Sequence, residues 1–238
     1  MKKFRPNKIW NDALNIIPGG NGLLSKRPYR FVPNFWPTYY KKCSGILVTD
    51  LNGKKYIDFS AMGIGTCSLG YSIKEIDQFV IKNIKSGVNS TLNSINEINL
   101  AKKILSIEKF ADKVKFTRGG GEAMSLAIRI ARAKNKKENI FFSGYHGWHD
   151  WYLSANLKNN KSLDTYLLPN LPIEGVPKGL KNTAVPINLK KISNLKLLYK
   201  SKNIAAVVVE LARENYEDQN VIKEIYNFCK KKKYMFYC

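Results

Sequence analysis

The stretch VKFTRGGGEAMSLAIRIARA (114–133), followed after a short charged linker by IFFSGYHGWHD (140–150), decides how the chain is read. Val114 to Phe116 is short and β-prone, and three glycines follow at Gly119, Gly120 and Gly121. Glu122 to Ala133 consists of good helix formers, with Ala123, Ala127, Ile130 and Ala131 making a small, close-packing face. Ile140 to Ser143 is a second apolar run of strand length. Strand, glycine turn, helix and strand is the rhythm of a parallel sheet, whose neighbouring strands need a crossover between them.

The rhythm continues downstream. TAVPI (183–187), IAAVVVE (204–210) and YMFYC (234–238) are further strand candidates, and Val221 to Cys229 is an amphipathic helix. Strands that are apolar on both faces and alternate with helices indicate a sheet covered on both sides. Upstream, apolar positions recur at helical spacing from Ile73 to Ile84 and from Ile98 to Phe110. The connector 60–72 is studded with glycine and has no period. Before it, TYYKK (38–42), ILVTD (46–50) and KKYIDF (54–59) alternate with turn residues, Asn52-Gly53 being a strong hairpin signal, so a small antiparallel meander is expected. The first part is loop-rich, with Pro18-Gly19-Gly20, Pro28, Pro33 and Pro37 ruling out a long helix. The expected fold class is α/β: a small N-terminal antiparallel β meander, then a mostly parallel sheet with flanking helices. The expected domains are 1–64 (arm and meander) and 65–238. The chain stops at Cys238 within an apolar strand, beyond whose end open α/β sheets place site residues. It therefore reads as truncated, with an open sheet edge expected to need a partner.

Of 238 residues, 44% are hydrophobic and 12% aromatic, enough for a core and against dominant disorder. No apolar run approaches the roughly 18 residues of a membrane helix. The basic start MKKFRPNKIW lacks the apolar segment of a secretory signal. Cys43, Cys67, Cys229 and Cys238 form no C-x-x-C pair and read as free thiols of a reducing compartment. A cytoplasmic protein is expected. The net charge of +22 raises nucleic-acid binding as one reading. However, only seven of the 40 basic residues are Arg, and they are dispersed, which fits a solvated lysine-rich surface. The run Lys230 to Lys233 ends a helix, where cations complement the dipole.

Three elements can carry chemistry. Gly119-Gly120-Gly121 removes every Cβ ahead of a helix, so backbone N–H groups and the positive helix end can approach an anion; the same glycines also suit a plain flexible turn. The pattern is neither a Walker A loop nor G-x-G-x-x-G. Gly144 to Asp150 holds both histidines and sits beyond a strand's carboxyl end. It suits ring stacking with a polar network, or structural packing; a metal on His146, His149 and Asp150 is the weak third reading. Glu210 ends the buried run IAAVVV, either facing a pocket or as a solvated strand-end charge.

In collinear order, Pro18-Gly19-Gly20, DLNGKKYIDFS (50–60), GGGEA (119–123), GYHGWHD (144–150) and VVVE (207–210) resemble the N-terminal portion of the class III aminotransferases. These have the fold type I pyridoxal-phosphate architecture, and the likeness is nearest to the glutamate-1-semialdehyde aminomutase-like branch. The resemblance implies that 65–238 is the N-terminal part of a large cofactor-binding domain. It implies pyridoxal 5'-phosphate held as an aldimine to a lysine, moving an amino group from a small-molecule donor to a carbonyl acceptor. A homodimer is implied, with neither nucleic acid nor membrane as partner. By match, Gly119, Gly120 and Gly121 occupy the phosphate cup, where the family usually carries Ser-Gly-Thr; both hydroxyls are missing here. Tyr145 matches the ring-stacking aromatic residue, with His146 beside it. Glu210 matches the strand-end Glu, followed by Leu211 instead of Pro, and Asn215 matches an Asn near the cofactor's phenolic oxygen. Lys26 and Arg27 lie near the family's substrate-carboxylate Arg, offset in spacing. Met62 to Gly65 and Ile73-Lys74 depart from the Ser-Trp and His-Pro of the family, so strict glutamate-1-semialdehyde specificity is not implied. The Asp that pairs with the pyridine nitrogen matches a position just past Cys238, and the Schiff-base Lys lies further on. No catalytic and no metal-binding residue is assigned, and the chain alone is expected to be inactive unless a C-terminal polypeptide complements it. The alternatives are a non-catalytic remnant or partner subunit of this fold, and a basic nucleic-acid-binding protein.

Overall fold

The computed structural model describes residues 8–32, 35–60, 62–63, 65–164, 166, 172–211 and 218–238. The chain clusters into two compact units, Met1–Asn99 and Leu100–Cys238.

The first unit begins with α1 (Lys8–Ile16), which buries Trp10. The loop-rich reading of this region misses α1, because the breakers start only at Pro18 and leave nine helical residues before them. At Gly20 the φ of +79° and the Trp10 ring, 2.6 Å from where a Cβ would stand, both require glycine. The meander is present as β1 (Tyr40–Ser44), β2 (Leu47–Asp50) and β3 (Lys55–Ile57), antiparallel in the order β1-β2-β3. Asp50 holds the second turn: its Oδ1 accepts from the Asn52 and Lys54 backbone N–H groups, each at 2.9 Å, and its Oδ2 from the Tyr56 hydroxyl at 3.1 Å. The following connector is tied back by the Gly45–Tyr71 bridge and by the Tyr71 hydroxyl, which donates to Asp58 Oδ2 at 2.6 Å. That bond to a carboxylate pushes the Tyr71 pKa up to about 12. Two helices, α2 (Lys74–Lys85) and α3 (Ile95–Ile107), fall where apolar spacing predicts them; neither contains a buried residue, and the division between the units falls within α3.

The second unit contains α4 (Gly120–Asn135), β4 (Asn139–Ser143), α5 (Asp150–Leu153), β5 (Ala184–Pro186), α6 (Ile192–Lys200), β6 (Ile204–Val209), α7 (Gln219–Lys232) and β7 (Met235–Tyr237). The four strands form one sheet, β5-β4-β6-β7, and every pairing is parallel. Every residue of β6 is buried, as its uninterrupted apolar run requires. The period-two alternation divides the core. Ile140, Phe142, Ala206 and Val208 face the side of Ile128, Ala131 and Tyr152. Phe141, Val207 and Val209 face Leu198, Ile225 and Cys229 of α6 and α7. Asn135 at the end of α4 donates from Nδ2 to the Ala205 carbonyl at 2.6 Å, pinning the helix to β6. The lysine run of α7 lies in its last turn, with Lys233 at φ +58° as its left-handed C-cap.

Val114–Phe116 does not form the expected strand. Among the described residues no ladder reaches it: the sheet ends at β5 on one side and at β7 on the other, and neither outer edge takes up a further strand. A strand exists only through its pairing, so a β-prone tripeptide that meets no partner edge has no ladder. No helix among the described residues is long and apolar enough to cross a membrane.

Phe142 anchors the α4 side of the sheet, with its ring against those of His146, Trp151, Tyr152 and Tyr166. Phe142→Ala is expected to cost about 3–5 kcal/mol in urea unfolding. Phe110→Ser, at a residue 85% exposed, is expected to stay within about 0.5 kcal/mol.

Candidate functional site

Parallel sheets gather their loops at the carboxyl ends of the strands. Here β4 runs out into 144–149 and β6 into Glu210, and the two ends are joined. Glu210 donates its backbone N–H to the Ser143 carbonyl at 3.0 Å. Its carboxylate Oε2 accepts the Tyr145 backbone N–H at 2.9 Å. Gly144 makes this possible: its φ is +97°, and a Cβ there would collide with the Glu210 Cβ. Glu210 thus faces the loop rather than open solvent.

Two residues on, the loop meets the glycine end of α4. Gly147 has φ +98°, and a Cβ on it would stand 3.1 Å from the Gly121 Cα, so here backbone packs on backbone. Gly119 is the N-cap, extended at φ −160° with no side-chain cap, and Gly120 and Gly121 are the first helical residues. Of the three, only Gly121 is closely approached, by the His149 ring, while Gly119 and Gly120 have open space where a Cβ would stand. The first-turn N–H groups of a helix have no intrahelical acceptor, and the helix end carries a partial positive charge of about +0.5. Glu122 turns back, its Oε2 accepting the Arg118 backbone N–H at 3.0 Å, and so shapes the entry to the turn.

The two histidines serve opposite ends of the loop. His146 is buried, and its Nε2 donates to the Ser143 carbonyl at 2.8 Å. Its ring packs edge-on to Phe142 and Tyr152, and burial pulls its pKa below the ordinary histidine value. The structure thus places His146 in the core as a pin for the loop. Tyr145 is half-buried and edge-on to Tyr152, 6.0 Å between ring centroids. His149 turns the other way: its Nδ1 lies 2.7 Å from Ser125 Oγ. Its Nε2 lies 2.9 Å from where a Gly121 Cβ would be. With their nitrogens on different partners, the two rings do not converge as a metal pair.

An open cavity of about 520 Å³ continues from His149 along α4, lined by Ser125, Arg129, Arg132, Trp148 and Trp151 among others. Arg132 donates from Nε to the Glu138 carbonyl at 2.9 Å, and burial lowers its pKa. Sequence reasoning missed this stripe. Its signal is the spacing Gly121, Ser125, Arg129, Arg132, which is one face of a helix.

The remaining sequence-derived residues are elsewhere. Lys26 and Arg27 lie in the first unit, in and just after a short 3₁₀ turn (Leu24–Lys26). Lys26 is exposed. Arg27 donates from Nη1 to the Tyr29 hydroxyl at 3.0 Å, and its guanidinium packs against Gly19. Asn215 lies outside the described residues.

Comparison with known proteins places the chain. The family model for class-III aminotransferases matches residues 31–238, and the chain belongs to this family. It is 32% identical over 236 residues to the glutamate-1-semialdehyde 2,1-aminomutase of Campylobacter hominis, covering 95% of this chain and 50% of that protein. It is 35% identical over 152 residues to a 3-aminobutyryl-CoA aminotransferase of Cloacimonas acidaminovorans, covering 63% of this chain and 36% of that protein. Among solved structures, a transaminase with PLP bound superposes with a TM-score of 0.80 at 22% identity, over 96% of this chain and 53% of the other. A glutamate-1-semialdehyde aminomutase of Pseudomonas aeruginosa gives 0.74 at 15%, over 96% and 49%. At these identities the structural likeness is one of fold. The chain spans half or less of the length of these curated relatives.

Gly144→Ala combines a left-handed backbone with a collision at Glu210 and is expected to cost roughly 2–5 kcal/mol in chemical unfolding. Burial also makes the native protein resist the proton that an unfolded His146 accepts near pH 6.5. His146 therefore contributes stability that is present above that pH and is lost as the pH falls toward its lower native value. The melting temperature of the wild type should drop over this range, and the drop should be shallower in His146→Gln, whatever that variant's absolute stability.

Proposed function

We propose that this chain carries the phosphate cup of a pyridoxal-phosphate enzyme that moves an amino group between a small-molecule donor and a carbonyl acceptor. The enzyme is of the glutamate-1-semialdehyde aminomutase-like kind. The observation that carries the reading is the glycine end of α4 lying bare beneath the 144–149 loop, where the Gly147 backbone meets Gly121. A Cβ on Gly147 would press on the Gly121 Cα and hold the loop off the helix end.

In this reading Gly119, Gly120 and Gly121 hold the phosphate through backbone N–H groups, whose fixed direction at a helix end favours a dianion. Tyr145 covers the ring of the cofactor, and Glu210 fixes Tyr145 through its backbone N–H. His146 acts from below, holding the loop to β4 through the Ser143 carbonyl. Once bound, the cofactor supplies the electron sink for the amino transfer. Lys26 and Arg27 are assigned to a substrate carboxylate; Lys26 is the exposed one, whereas Arg27 already bonds Tyr29. No residue of this chain is assigned a covalent role, and amino transfer is proposed for the whole protein.

The coarser assignments follow the same reading. Residues 1–64 form the arm and meander, and 65–238 the N-terminal part of the large domain. A homodimer is supported by the apolar residues that α2 exposes, Ile76, Phe79, Val80 and Ile84. A cytoplasmic location is supported by four free cysteines.

The test uses pyridoxamine 5'-phosphate and pyridoxamine, amines that cannot form imines with the 33 lysines of the chain. Quenching of tryptophan fluorescence should show the phosphorylated compound binding at least about tenfold more tightly, the value of one charge-assisted hydrogen bond. Gly120→Asp places a carboxylate in the cup at a position with open space around it, and should abolish that preference without unfolding the chain. Equal affinities in the wild type would contradict the reading.

A further inference from the structure

The glycine turn has no side chain, so an anion there receives only backbone donors from 119–121. Beside the Thr117 hydroxyl, which donates to the Gly119 carbonyl at 3.1 Å, and the Glu122 carboxylate, which accepts the Arg118 N–H, a side chain from another element reaches the turn. The His149 imidazole lies along α4 across one helical turn, with Nδ1 at Ser125 Oγ, 2.7 Å away. Its Nε2 points at Gly121, in the volume a side chain at 121 would fill, 2.9 Å from the Cβ position. Gly121 and Ser125 are four residues apart and therefore share this face. His149 is held there by its neighbours: its carbonyl accepts the Tyr152 and Leu153 N–H groups at 2.9 and 3.1 Å. The Trp148 ring lies against it at 5.1 Å.

We propose that His149 is a binding residue for the cofactor phosphate, donating from Nε2 at the position where the glycine turn lacks a side chain. This rests on the reading of Gly119–Gly121 as the phosphate cup. Nε2 has no hydrogen-bond partner among the described residues, while Nδ1 is taken by Ser125. A neutral ring that accepts the Ser125 hydroxyl at Nδ1 carries its hydrogen on Nε2, and a charged ring carries one there as well. These two forms direct an N–H to the glycine end of α4, whereas the neutral form that donates from Nδ1 to Ser125 would leave Nε2 a lone pair, which an anion disfavours. Donors at one helix end are matched by an anion, whose charge the positive helix end favours over that of a cation; the Glu122 carboxylate at the turn is engaged by the Arg118 N–H. Ser125 is then a positioning residue that fixes the ring's orientation. The pairing is reciprocal: a side chain at 121 or the imidazole of 149 can fill this volume, but not both.

The experiment measures dissociation constants of pyridoxamine 5'-phosphate and of pyridoxamine for the full chain and three variants, and compares their ratio. In His149→Ala the preference for the phosphorylated compound should fall about 10- to 100-fold, the share of one hydrogen bond to a charged group. Binding of pyridoxamine should stay unchanged. His149→Gln, which keeps an N–H donor on a shorter side chain, should retain part of the preference. The double variant Gly121→Thr/His149→Ala, in which the vacated volume receives a hydroxyl, should recover part of it and also guards against a folding defect of the single variant. An unchanged ratio in both His149→Ala and His149→Gln would show that the imidazole only packs against Gly121, and would overturn the proposal while the phosphate cup stands. A wild-type chain without any preference for the phosphorylated compound would overturn the cup itself and the role of His149 with it.

Discussion

The Gly147 backbone passes so close to Gly121 that a Cβ at 147 would stand only 3.1 Å from the Gly121 Cα, and the architecture of the candidate site depends on that contact. It fixes the glycine end of α4 beneath the loop that leaves β4. The loop is in turn held to the end of β6, because Gly144 lets Glu210 reach the Tyr145 backbone N–H. Three chain segments distant in sequence are so brought to one place by two close passages, at Gly144 and at Gly147. The parallel sheet supplies the rest of the constraint: β4 lies between β5 and β6, and Phe142 sets its height in a cluster of aromatic rings.

The loop's two histidines show how burial sorts identical side chains into different work. His146 sits in the core, bonded to the Ser143 carbonyl, where charging the ring means taking a cation out of water. His149, half-buried, stands at a helix end that favours negative charge, with one nitrogen occupied and the other directed at the glycines. Two residues, Gly147 and Trp148, separate them, and the left-handed backbone of Gly147 at φ +98° helps turn one ring inward and the other outward.

Much of this was legible in the sequence. The runs IFF and IAAVVV are apolar at every position, a pattern that a sheet covered on both faces explains, and Asn52-Gly53 marked the meander turn. The glycine triplet before a helix of small residues located the α4 end correctly. Other features were not legible, for physical reasons. Val114–Phe116 has strand composition, but pairing is non-local and composition does not show whether a partner edge meets it. Helix α1 was hidden by the proline and glycine cluster after it. His149 could not be told from His146 by residue type, since what distinguishes them is the direction of each ring. Its spacing partner Ser125 lies 24 residues earlier, on an element whose face had to be known first.

The central claim, that backbone amides at the bare glycine end of α4 hold a phosphate, is tested most directly by amide ¹⁵N–¹H spectra of the 238-residue chain. Pyridoxamine 5'-phosphate is titrated in, and then pyridoxamine. If the claim holds, the Gly119, Gly120 and Gly121 resonances move with the phosphorylated compound and stay in place with the other. If these resonances remain fixed while others in the spectrum move, the phosphate binds elsewhere and the assignment of the cup is wrong.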